Sequence, residues 1–193
     1  LDLDNLGLGC FRLESVGDRL DAIAQILEAL KYRQSQERDS LVAEIERRSA
    51  NLPTDLMLSD KQIYKMASEG VDIGAHTVRH PILARIDSDA AREDIVHSRR
   101  YLEELVQRDV AAFAYPNGRP GVDYTEIHRD MVKSLGFATA VATHWGVATS
   151  RSDPYQLPRF TPWDRKPVRF ALRLLLNYRR ADSLPDDSPP NRE

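Results

Sequence analysis

DIGAHTVRHP, Asp72 to Pro81, decides how the rest of the chain is read. It carries two of the chain's five histidines, His76 and His80, four residues apart. The run just before them, VDIG, predicts a short buried strand that delivers both imidazoles to a strand end. Neutral imidazole is a common zinc ligand, and a four-residue gap lets two ring nitrogens converge if the segment turns helically. Spacing alone leaves two readings open: a metal pair, or two ordinary histidines that happen to be neighbours. A hydrolytic metal site also needs a third ligand, often a carboxylate, and open positions for water.

Outward from that stretch, periodicity alternates. Before it, Leu20, Ile23, Ile26, Leu27 and Leu30 recur at helical spacing and predict an amphipathic helix over 18–33. A more polar helix is expected over 38–48, broken off by Pro53. Ser59 and Gln62 have the spacing of a capping box, opening a short helix that Gly70 can close. After the histidines, the DSD cluster at 87–89 offers N-caps for a helix over 90–107. VAAFAY, 110–115, predicts a short buried strand ended by the turn-rich PNGRPG. Asp123 is expected to cap a helix over 124–135 that Gly136 stops, followed by a strand at 137–142 and another at 156–160.

Helices alternating with short buried strands predict an α/β fold with mainly parallel pairing. Ligands in such folds gather at the carboxyl ends of the strands. The histidine segment and the PNG turn each follow a strand, so they are expected on one rim. The helix over 166–180 combines leucines with arginines. It reads as a helix packed across one barrel face, or as a membrane-surface helix. The Pro-rich polar tail, 181–193, reads as disordered.

The totals restrict function. At 193 residues the chain can bury a real core, and a net charge of -3 gives no pull toward nucleic acid. The single cysteine, Cys10, excludes an internal disulfide. No apolar run reaches the roughly 18 residues of a membrane span. LDLDNLGLGC lacks the basic and apolar regions of a signal peptide and reads as the start of a piece of something longer. Location is therefore left open between cell envelope and cytoplasm.

The run from Ser59 through SDKQIYKMASEGVDIGAHTVRHPILARI, followed some thirty residues later by VAAFAYPNG, resembles the polysaccharide deacetylases (NodB-type, carbohydrate esterase family four). His76-Thr77-Val78-Arg79-His80 matches their H-[ST]-x-x-H motif, and Ala114-Tyr115-Pro116-Asn117-Gly118 their R-x-P-Y-G motif without its arginine. The resemblance implies a partial (β/α) barrel missing its first strands. It divides the chain into a helical insertion (1–57), a barrel portion (58–164), a basic amphipathic helix (165–180) and a tail (181–193). It implies that His76 and His80 bind a divalent metal, usually zinc, with Thr77 holding the loop. It further implies that the Asn117 backbone N–H stabilises the oxyanion, on a turn built by Tyr115, Pro116 and Gly118. A backbone donor does not depend on side-chain identity.

Two family features are altered. No Asp-Asp pair precedes His76, since Asp2 and Asp4 alternate with leucine and are not followed by the expected turn and helix. The first strand and its two aspartates, base and third ligand, are expected upstream of Leu1. The family's closing L-x-H is Leu157-Pro158-Arg159 here. Arginine cannot give up a proton near neutral pH but can stabilise charge, and His144 is the candidate general acid. Trp145, Trp163 and Tyr115 are candidate stacking platforms for a sugar polymer. His97 and His128 read as solvated or structural. The function implied is hydrolysis of non-peptide C–N bonds, removing acetyl groups from an N-acetylated polysaccharide. Competing readings are an allantoinase-like amidase acting on small cyclic amides and a non-catalytic remnant.

Overall fold

The computed structural model describes residues 1–49, 52–160 and 164–179. Trp163 and the tail at 181–193 lie outside the described residues. The chain divides into two compact units, Leu1–Gln62 and Ile63–Glu193.

The first unit opens with a small antiparallel pair, β1 (Asp2–Leu3) and β2 (Gly9–Cys10), where a helical start was expected. Gly7 supplies the left-handed turn between them. Helix α1 (Val16–Lys31) begins in a complete capping box: Asp18 N–H donates to the Ser15 hydroxyl at 3.0 Å, and Ser15 N–H to the Asp18 carboxylate at 2.9 Å. Its apolar periodicity is real, yet Leu20, Ile23 and Leu27 are 53–62% exposed, and only Ala22 and Leu30 are buried. Helix α2 (Ser35–Arg48) is tied to the opening segment by Arg48, whose guanidinium donates to Asp2 O and to Asn5 Oδ1.

The second unit holds the core. In helix α3 (Asp60–Ser68) the Gln62 side chain reaches back to accept from the Ser59 amide at 2.8 Å, half of the expected box. Gly70 then turns left-handed, as expected for a helix stop. Helix α4 (Ser88–Val106) is capped by Asp87, which accepts from Asp89 N–H at 2.8 Å. Strands β3 (Ala112–Ala114) and β4 (Thr139–Val141) pair in parallel, joined through helix α5 (Glu126–Ser134), as a βαβ unit. The strand expected at 71–74 does not form, and the residue after it, Ala75, makes a single parallel bridge to Phe113; the strand expected at 156–160 is reduced to one bridge, Val141 to Leu157. The parallel layer thus runs Ala75, β3, β4, Leu157. Glycines and prolines beside both bridges (Gly74, Pro154, Pro158) shorten the outer pairing.

Phe113, Tyr115, Tyr124, Phe137, Leu83, Ile95 and Val132 are buried together beneath this layer. Each large apolar side chain sequestered there contributes roughly 1.5–3 kcal/mol. Tyr115 and Tyr124 stack with ring centroids 3.7 Å apart and planes 6° from parallel. Arg99 of α4 donates to Leu135 O at 2.7 Å, which fastens α4 to the end of α5.

Two expectations change. Asp123 does not cap α5; Thr125 does, in a box with His128. The Asp123 carboxylate is buried and turned to the preceding loop, where its Oδ2 accepts from the Arg119 amide (3.0 Å) and Nε (3.3 Å). Helix α6 (Pro167–Tyr178) does not bury its leucines. Among the described residues it is held by its other side: Arg173 pairs with Asp164 and lies over Trp145, Phe170 meets Phe160, and Asn177 donates to Gly146 O. Val168, Leu172, Leu175 and Leu176 stay exposed.

Candidate metal centre

The His76 loop is placed by backbone pairing. Ala75 N–H donates to Ala112 O and Ala75 O accepts from Ala114 N–H, both at 2.9 Å. Gly74 permits this approach, because a Cβ there would stand 3.2 Å from Ala112 O. His76 therefore emerges directly beside the end of β3. Its Nδ1 lies 2.7 Å from Ala114 O. A carbonyl only accepts, so Nδ1 carries a proton, and in the neutral ring Nε2 holds the lone pair. That is the tautomer a metal-binding imidazole adopts, with the second ring nitrogen anchored to a carbonyl.

His80 returns to the same place. The two rings lie 4.7 Å apart at 75°, and both side chains are exposed. The turn between them is left-handed at Thr77 (φ 63°) and again at His80 (φ 51°). Left-handed φ at a non-glycine residue is uncommon and persists only where surroundings impose it. Here the Thr77 hydroxyl accepts from His80 N–H at 3.1 Å. Asp94 of α4 accepts from Val78 N–H at 3.1 Å and Arg79 N–H at 3.4 Å. Among the described residues, no group of three or more His, Cys, Asp or Glu side chains is arranged to hold a metal. His76 thus has the tautomer of a metal ligand, and His80 lies close enough to be a second.

The PNG turn sits on the neighbouring strand end. Asn117 (φ 58°) and Gly118 (φ 79°) are both left-handed. The turn is fixed to the residue after β4: Thr143 Oγ1 donates to Asn117 O at 2.7 Å, and Thr143 N–H to Gly118 O at 2.8 Å. Among the described residues the Asn117 amide donates to no protein acceptor. His144 follows Thr143, and its carbonyl accepts from Arg159 N–H at 3.2 Å. Half-burial pushes the His144 imidazole below its ordinary value.

A family model described as polysaccharide deacetylase matches residues 21–140, more than half of the chain. The chain belongs to the polysaccharide deacetylase family. Among solved structures, the Streptococcus pyogenes deacetylase PplD, in complex with acetate, is 25% identical with a TM-score of 0.56. That similarity covers 62% of this chain and 51% of PplD. A polysaccharide deacetylase from Bacillus cereus, 16% identical, shares the fold with a TM-score of 0.53, covering 74% of this chain and 48% of its own. YxkH of Bacillus subtilis, provisionally named a polysaccharide deacetylase, is 24% identical over 102 residues, 53% of this chain and 35% of its own length. The chain thus spans about a third to a half of the relatives it matches.

Within this deacetylase fold, the structure brings His76, Thr77, His80, Asn117, Gly118, His144 and Arg159 to adjacent strand ends. Among the contacts described, the histidine pair is linked to the PNG turn and His144 through β3 and Thr143, by His76 Nδ1 to Ala114 O and Thr143 Oγ1 to Asn117 O. Tyr115 does not serve as a stacking platform: it is buried, and its hydroxyl donates to Tyr155 O at 2.9 Å. Trp145 is half-buried against Phe160 and Arg173. His97 is exposed, and His128 is buried as the structural partner of Thr125. Asp94 and Thr143 escaped the sequence reading. Each acts on backbone atoms of a distant segment, and no local pattern marks such a role.

Proposed function

We propose that this chain carries two ligands of a divalent metal centre, His76 and His80, in a hydrolase that removes acetyl groups from an N-acetylated polysaccharide. The observation that carries the reading is the bond from His76 Nδ1 to Ala114 O, beside a second imidazole 4.7 Å away. In the neutral ring it puts the lone pair on Nε2, and it ties that histidine to the strand that leads into the PNG turn. The imidazole donors suit zinc, which when bound supplies Lewis acidity toward a water and an acyl oxygen.

The chain's own groups set the rest. Asn117 N–H stands ready to donate to an acyl oxygen as it gains charge, held there by Thr143. Arg159, exposed on the same rim, supplies positive charge but no proton. The acid role read for His144 requires an imidazolium, and burial works against that form near neutral pH. No carboxylate among the described residues joins the pair as base or third ligand. The chain by itself is therefore expected to show little or no turnover.

The test is acetate release from N-acetylglucosamine oligosaccharides in the presence of zinc. A protein carrying this chain should release acetate, and His76→Ala should abolish it. Hydrolysis of small cyclic amides in place of the oligosaccharide contradicts the substrate reading. Robust turnover by these residues alone contradicts the absence of a base.

A further inference from the structure

Asp94 lies on α4, fourteen residues beyond His80 in the chain, yet its two carboxylate oxygens face the loop between the histidines. Oδ1 accepts from Val78 N–H at 3.1 Å and Oδ2 from Arg79 N–H at 3.4 Å. Those two amides lie between Thr77 and His80, the residues held at left-handed φ. Two successive N–H groups directed at one anion form a small cradle, and a carboxylate is the charged acceptor that fills it. The Thr77 hydroxyl, which accepts from His80 N–H at 3.1 Å, holds the same turn from inside the loop.

We infer that Asp94 is a positioning residue for the histidine pair, acting through the Val78 and Arg79 amides and not as a ligand. The inference rests on the metal reading above. It assigns Asp94 the task of keeping both imidazoles on one point when no metal is present.

Zinc titration calorimetry on the full chain tests it, with hydrogen exchange at the Val78 and Arg79 amides as a metal-free readout. Asp94→Ala should weaken zinc binding tenfold or more, in line with the cost of losing groups that orient metal ligands. It should also speed exchange at both amides. Asp94→Glu, which keeps the carboxylate, should recover part of the affinity. Asp87→Ala removes the cap of the same helix without touching the loop, and should leave zinc affinity within about twofold. Equal losses in Asp87→Ala and Asp94→Ala would reduce Asp94 to a helix-stability residue and overturn the inference. Zinc bound through the pair with unchanged affinity in Asp94→Ala overturns it as well. A wild-type chain that takes up no zinc through His76 and His80 overturns the metal reading itself.

Discussion

Gly118→Ala, measured against Gly121→Ala, separates backbone conformation from crowding at the PNG turn. The two glycines have nearly the same left-handed φ, +79° and +75°. Placing an L side chain there costs about 1–2 kcal/mol in either case. They differ in surroundings. A Cβ on Gly121 would meet nothing within 4 Å, whereas one on Gly118 would stand 2.9 Å from Thr143 Cγ2 and 3.1 Å from both Thr143 N and Tyr115 O. The last two are backbone atoms. Thr143 N cannot retreat without loosening its 2.8 Å bond to Gly118 O. Overpacking of this kind typically adds 1–3 kcal/mol. Gly118→Ala should therefore cost roughly 2–5 kcal/mol and Gly121→Ala about 1–2 kcal/mol. Against a usual stability of about 5–15 kcal/mol, that difference is easily read from urea midpoints. Equal losses for the two variants would refute the claim that Gly118 is required by close approach to Thr143.

Acid should weaken the fold through His128. Burial pushes its pKa below the ordinary 6.5, outweighing a smaller upward pull from the Leu83 backbone. The unfolded chain then takes up protons before the folded one, so stability falls as pH drops past 6.5 and levels off below the folded-state value. Urea unfolding at a series of pH values should show this slope, and His128→Gln should reduce it while keeping a side chain able to complete the Thr125 box. Tyr115→Phe removes the hydroxyl that donates to Tyr155 O at 2.9 Å but keeps the stack on Tyr124. Chemical denaturation should register a loss of about 0.5–1.5 kcal/mol, with the PNG turn intact in amide exchange.

The sequence made the alternation of elements legible because helix caps and stops are local. Asp87, Gly70 and Gly136 fall where their chemistry predicts. Strand extent was not legible. VDIG forms no strand, the bridge falling on Ala75 just after it, and the 156–160 segment contributes only Leu157, since pairing length depends on what the neighbouring backbone offers. The same holds for Asp123, whose Oδ2 turns back to Arg119, and for α6, whose leucines face outward because Arg173 and Asn177 make the contacts on its inner side. The placement of His76 and Asn117 on adjacent strand ends followed from parallel α/β topology. The proton on His76 Nδ1 did not, because the acceptor is a carbonyl 38 residues away. Asp94 was invisible for the same reason.

X-ray absorption at the zinc edge, on the chain loaded with one equivalent of zinc, tests the central claim most directly. The account predicts scattering from two imidazole rings, with nitrogens at about 2.0–2.1 Å and oxygens completing the shell. The double variant His76→Ala, His80→Ala should lose that imidazole signature. A wild-type spectrum without imidazole scattering, or one left unchanged by the double variant, would contradict it.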